Sequence, residues 1–137
     1  MLNVVVLAAG KGTRMRSNKP KVLHPLAGET LLNHVLNSAQ SLGASQLCVV
    51  IGHEAEQVRR SVGERNVVFV EQSPQMGTGH AVQLAAAHLA DDVPTLVLYG
   101  DVPLTQVDTL RRLVSQVNER NMALLTVNLD NPTGYGR

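Results

Sequence analysis

Aromatic side chains are almost absent. Phe69, Tyr99 and Tyr135 are the full complement, 2% of 137 residues, and there is no tryptophan. Proteins that hold single-stranded nucleic acid stack its bases on several such rings, so nucleic acid is not an expected partner. The core must then be built from Val, Leu, Ile and Ala within a hydrophobic fraction of 44%. Cysteine is nearly missing too. Cys48 stands alone inside the apolar run Leu47–Ile51, which excludes an intramolecular disulfide and reads as a buried thiol in a reducing compartment. No apolar stretch reaches the roughly 20 residues of a membrane span, and no basic segment precedes the first apolar run. A soluble, cytoplasmic protein with no membrane partner is expected.

Acidic residues are missing from the first 28 positions. Lys11, Arg14, Arg16, Lys19 and Lys21 lie there, with no Asp or Glu before Glu29. That segment carries +5, and the other 7 basic and 11 acidic residues bring the chain to +1. A charge cluster is ordinarily a solvated face. This one follows an apolar run that stops at Gly10, where backbone N–H groups can turn toward an anion. An anion-binding loop is the expectation.

What is present alternates. Continuous apolar runs occur at Val4–Leu7, Leu47–Ile51, Val67–Val70, Thr95–Tyr99 and Ala123–Val127, the pattern of parallel strands covered on both faces. Between them, Leu31, Leu32, Val35, Leu36, Ala39 and Leu42 form a helical stripe, with Gly43 placed to end it. Glu54–Val62 is a shorter helix candidate. Thr78 is placed to cap an alanine-rich helix running to about Ala90, and Thr105 with Asp108 has capping-box spacing ahead of Leu110 and Leu113. No linker or repeat interrupts the series. The expected fold is α/β: one domain, 1–137, with a doubly wound, mostly parallel sheet of Rossmann-like type. Ligands bind outside the carboxyl ends of such strands, where the Gly10–Lys21 loop lies.

The loop fits neither common phosphate motif. A Walker A loop has Lys-Ser/Thr after its second glycine, whereas Lys11 here lies between Gly10 and Gly12. The dinucleotide fingerprint needs a glycine where Met15 stands. A Rossmann oxidoreductase is therefore the weaker alternative among enzymes. What remains is a long loop with glycines for close backbone approach and two cations, Arg14 and Lys21, able to clamp a polyphosphate.

Leu7-Ala8-Ala9-Gly10-Lys11-Gly12-Thr13-Arg14-Met15 with Pro20-Lys21-Val22-Leu23-His24 resembles the signature of sugar-phosphate nucleotidyltransferases. Gln72, Gly77-Thr78-Gly79-His80-Ala81, Tyr99-Gly100-Asp101-Val102-Pro103-Leu104 and Gly134-Tyr135-Gly136-Arg137 follow in order. Together these blocks resemble the N-terminal uridyltransferase domain of the bacterial bifunctional N-acetylglucosamine-1-phosphate uridyltransferases and glucosamine-1-phosphate N-acetyltransferases. The fold implied is that of the nucleotide-diphospho-sugar transferases.

The resemblance implies uridylyl transfer from UTP to N-acetylglucosamine 1-phosphate, giving UDP-N-acetylglucosamine for cell-envelope precursors. It implies a uridine site at the Leu7, Ala8, Ala9 and Gly10 backbone, with Gln72, Gly77 and Thr78 reading the base, and a binding role for Tyr99 and Gly100. Arg14 and Lys21 would act on the phosphates, Asp101 would bind Mg²⁺, and Gly136 would approach the sugar. Each residue has a plainer reading: Gln72 as an exposed loop amide, Thr78 as a helix cap, Asp101 as a strand-end turn residue. The histidines His24, His34, His53, His80 and His88 show no metal-ligand spacing and read as structural or loop residues. The family's remaining catalytic segment, with an asparagine as second metal ligand, and its trimer-forming left-handed β-helix lie beyond position 137. This chain alone is expected to turn over little, and a uridine-nucleotide-binding module or inactive fragment stays open beside the enzyme, as does another sugar-1-phosphate nucleotidyltransferase.

Overall fold

A computed structural model describes residues 1–10 and 18–136. Four strands form one parallel sheet: β1 (Asn3–Leu7), β4 (Gln46–Ile51), β5 (Val68–Glu71) and β6 (Thr95–Tyr99), in the order β5-β4-β1-β6. A short antiparallel hairpin, β2 (Pro25–Leu26) and β3 (Glu29–Thr30), follows a single 3₁₀ turn at Lys21–Leu23. Helices α1 (Leu31–Ser41), α2 (Ala55–Val62), α3 (Thr78–Ala86) and α4 (Val107–Ser115) fill the crossovers and follow the last strand.

Alternation along the strands explains the two layers. Val4 and Val6, with Leu47, Val49 and Ile51, face Leu32, Val35, Leu36, Val58, Val62 and Leu110 of α1, α2 and α4. Val5, Cys48, Val50 and Val70 point the other way, onto Ala81 and Ala85 of α3. Both faces are therefore covered over β1 and β4, as unbroken apolar runs require, whereas β6 leaves Val97 and Tyr99 exposed on one face. A one-residue slip of β1 would exchange the two sets. The register places Val5 between Cys48 and Val97, and Leu7 between Val50 and Tyr99. Cys48 is a free buried thiol. Burial pushes it above its usual range, against a smaller opposing hydrogen bond with Gln46.

Strand order runs outward from β1 through β4 to β5, then returns to place β6 on the other side of β1. The topological switch point is thus at the carboxyl ends of β1 and β6, beside Gly10. Gly43, at φ +75°, stops α1 as expected. The α1 start is capped by the Thr30 hydroxyl, which accepts from the Asn33 N–H at 3.0 Å.

Three local expectations are corrected. Ala123–Val127 is not a strand. No ladder partner reaches it among the described residues, and Leu124, Leu125 and Val127 remain exposed. An extended apolar run is stable as a strand only when a neighbour takes its backbone groups; here it lies loosely over β6 and α4 around a cavity of about 510 Å³. Thr78 does not cap α3. Gly77 takes that position at φ +93°, Thr78 is the first helical residue, and the helix ends at Ala86 rather than near Ala90. The Thr105–Asp108 box does not form either, because Gln106 precedes α4 and Asp108 instead pairs with Arg111 Nη1 at 3.1 Å.

At the amino end of β1, Asn3 is fully buried. Its Nδ2 donates to Ala90 O at 2.9 Å and to Thr95 Oγ1 at 3.2 Å, and its Oδ1 accepts from the Ala90 N–H at 3.2 Å. One amide thereby ties the loop after α3 to β1 and β6. Asn3→Ala leaves those groups without their partner and should lower stability by about 1–3 kcal/mol, read from chemical denaturation.

Candidate active site

The β1 exit is built by its neighbours. The Ala8 N–H donates to Val50 O at 2.8 Å and the Gly100 N–H donates to Leu7 O at 2.9 Å, which extends both ladders one step past the strand. Gln75 Nε2 donates to Ala9 O, and the Gln72 N–H donates to Ile51 O at 2.8 Å. The backbone from Leu7 to Gly10 thus forms the floor of a cavity of about 410 Å³. The walls are Gln72, Gly77 and Thr78 on the β5–α3 side and Lys21, Tyr99 and Asp101 on the β6 side.

The loop from β5 to α3 is shaped by one glycine and one amide. Gly77 at φ +93° occupies a region that L side chains rarely adopt. Its carbonyl accepts from the Ala81 N–H at 3.2 Å, closing the first turn of α3. It also accepts from Gln72 Nε2 at 3.0 Å. Gln72 is 4% exposed, so its polar atoms must be satisfied internally or by what enters the cavity.

On the opposite side Lys21 Nζ lies 3.0 Å from Asp101 Oδ2, with both side chains partly exposed. They are the two charged side chains among the described residues of the lining. An ion pair this open contributes only about 0.2–1 kcal/mol, so an entering polyphosphate and cation can separate it. Among the described residues no group of three or more His, Cys, Asp or Glu could hold a metal by itself. One carboxylate at the edge of an open cavity does fit a hard divalent cation, which takes the rest of its shell from water and ligand oxygens.

Ten of the residues singled out in the sequence meet here: Leu7, Ala8, Ala9 and Gly10; Gln72, Gly77 and Thr78; Lys21, Tyr99 and Asp101. Gly100 does not line the cavity. A Cβ there would stand 3.0 Å from Leu7 O, 3.2 Å from Val22 Cγ1 and 3.3 Å from Leu32 Cδ1, so the glycine serves the close approach of β6 to β1. Gly136 is exposed and also absent from the lining. Arg14 lies outside the described residues. Gln75, Val22, Val50 and Ala81 join the lining without having been assigned a role; Val22 and Ala81 lie inside the signature blocks, and Gln75 between Gln72 and Gly77.

The MobA-like NTP transferase domain model matches residues 4–134. The chain belongs to this family. This transferase domain is 57% identical over 136 residues to the bifunctional protein GlmU of Marinobacter nauticus, and 58% identical over 136 residues to that of Burkholderia ambifaria. Each match covers 99% of the chain, and the chain spans about 30% of the length of these curated relatives. Among solved structures, a nucleotidyl transferase from Methanothermobacter thermautotroptrophicus superposes with a TM-score of 0.76 at 29% identity, over 85% of this chain and 57% of that one. A Mycobacterium tuberculosis structure containing manganese superposes at 0.70 and 28% identity, over 83% and 58% of the two chains. The doubly wound nucleotidyltransferase fold expected from the sequence is the one found. No helix among the described residues is long and apolar enough to cross a membrane.

Asp101→Asn should leave the free energy of unfolding within about 1 kcal/mol, because the pair it breaks is open to solvent. The same change should abolish any gain in nucleotide affinity on adding Mg²⁺, as measured by titration calorimetry with and without the metal.

Proposed function

We propose that the domain transfers a uridylyl group from UTP to N-acetylglucosamine 1-phosphate, releasing pyrophosphate and forming UDP-N-acetylglucosamine. The observation that carries this reading is the single cavity joining two chemistries: an amide and a glycine turn on one wall, a lysine and a carboxylate on the other, with the β1 exit between them. The high identity to GlmU proteins supports it.

In this reading the base lies against Gln72, Gly77 and Thr78. The sugar and α-phosphate cross the Leu7–Gly10 backbone, and the polyphosphate extends toward Lys21 and Arg14. A phosphate oxygen of the sugar 1-phosphate forms a bond to the α-phosphorus as the bond to the β-bridging oxygen breaks in line, and the electron pair leaves with pyrophosphate. No side-chain nucleophile is needed, so the protein contributes position and charge. Lys21, freed from Asp101, holds the α-phosphate region. Arg14 meets charge growing on the pyrophosphate. Asp101 would hold Mg²⁺, which supplies charge neutralisation between the phosphate groups when bound. In a polypeptide as long as the GlmU relatives, a β-helical region would carry trimerisation and acetyl transfer, in the cytoplasm.

A second reading, a module that binds uridine nucleotides without turning them over, is favoured by one feature: Asp101 is the single carboxylate among the described lining residues. Pyrophosphate release from UTP and N-acetylglucosamine 1-phosphate with Mg²⁺ separates the two. Turnover by residues 1–137 alone is expected to lie far below the enzyme median of about 10 s⁻¹. Titration calorimetry should show UTP bound at least about tenfold more tightly than ATP, a difference of ~1.4 kcal/mol, and equal affinities would overturn the uridine reading. In an active polypeptide carrying this domain, Arg14→Ala should lower kcat by roughly 10²–10³. A raised KM with kcat unchanged would instead show uniform binding.

A further inference from the structure

His80 belongs to none of the groups the reaction uses, yet it sits on the first turn of α3, half-buried, against the buried amide of Gln72. Gln72 Nε2 lies 3.0 Å from Gly77 O and 3.0 Å from His80 Nδ1. A primary amide has two N–H donors, and each has an acceptor here. The orientation of the amide is not arbitrary. Exchanging its nitrogen and oxygen would set Oε1 3.0 Å from the Gly77 carbonyl oxygen with no proton between them. With Nε2 placed toward Gly77, the amide's second N–H faces His80 Nδ1, which serves it as an acceptor.

We propose that His80 is a positioning residue that selects the base by pinning the Gln72 amide with its oxygen toward the ligand. This rests on the reading of Gln72 as a base contact and corrects it in one respect. An unrestrained glutamine can either donate or accept; Gln72, with both protons committed, offers a ligand only an acceptor. Uracil presents an N–H at N3, which such an acceptor takes. Cytosine presents a bare nitrogen there, which repels it. The three-residue spacing of Gly77 and His80 across the helix start brings both restraining acceptors to the same amide. A site whose polar group is fixed in one sense rejects the mismatched partner, because pairing fails on both sides.

Titration calorimetry of the chain with UTP, CTP and N3-methyluridine triphosphate tests this. The unaltered chain should prefer UTP to CTP, and methylation at N3 should weaken binding at least about tenfold. His80→Leu removes the acceptor and should reduce the UTP-to-CTP ratio by about tenfold. His80→Asn should keep the ratio, since its Oδ1 takes the place of Nδ1 as an acceptor. An unchanged ratio in His80→Leu, or equal loss in both variants, overturns the role of His80 and leaves the uridine site standing. N3-methyluridine triphosphate bound as tightly as UTP overturns the acceptor assignment whatever the variants do. Absence of any UTP preference in the unaltered chain overturns the uridine reading and this inference together.

Discussion

Everything at the site depends on how closely two neighbouring strands can approach the exit of β1. The strand is hydrogen-bonded on both sides along its length, and its backbone is then handed to the cavity over four residues, Leu7 to Gly10. Each flanking strand ends in a glycine at that point. After β4, a Cβ on Gly52 would stand 3.0 Å from Gln72 O, 3.0 Å from Gln75 Nε2 and 3.2 Å from Ala9 Cβ. After β6, Gly100 is equally confined against Leu7 O and Val22. These distances are tighter than nearly all real Cβ contacts, so a side chain at either position would press the flanking wall away from the floor. Glycine at these two positions serves packing and leaves the ligand chemistry to their neighbours.

The walls differ in how they hold charge. Lys21 and Asp101 neutralise each other across an opening that water reaches, which makes their attraction weak. That weakness suits the phosphate-binding role proposed for this wall. A strongly paired lysine would have to be stripped of its partner before it met the substrate, whereas an exposed pair exchanges one electrostatic partner for another at little cost. On the opposite wall Gly77 and Thr78 are exposed, but the amide between them and the sheet is held on both sides. Gln72 is buried, its backbone N–H is tied to β4, and its amide is held by the start of α3. Specific hydrogen bonding benefits from an amide so buried, because a buried polar group left unmatched is expensive.

Much of this was legible in the sequence because the signals are local. Unbroken valine and leucine runs mark strands covered on both faces, and four of the five runs form the sheet. Gly43 marks a helix end by its backbone freedom alone. The basic Gly-rich segment after β1, the Gly77–Thr78 turn and the Tyr99–Asp101 strand end each announced a loop at the carboxyl edge, and residues from all three line one cavity. The failures share a cause. Ala123–Val127 has the composition of a strand, but a strand exists only when another backbone pairs with it, and pairing is not written into the run. Thr78 has the chemistry of a cap, yet Gly77 takes the role because the turn needs a positive φ one residue earlier.

The histidine shows the same limit more sharply. Its spacing from Gln72 and Gly77 is visible in the sequence, but its meaning depends on which atoms of Gln72 remain uncommitted. That is decided by the Gly77 carbonyl, which accepts from the amide and from the α3 backbone at once. A hydrogen-bond inventory is additive only when every group is free to turn. Here one carbonyl orients an amide, a ring nitrogen takes its second proton, and the amide oxygen is what remains to be offered. The base selectivity proposed for this wall would accordingly belong to the Gln72–Gly77–His80 set, with no member of it carrying the selectivity by its own chemistry.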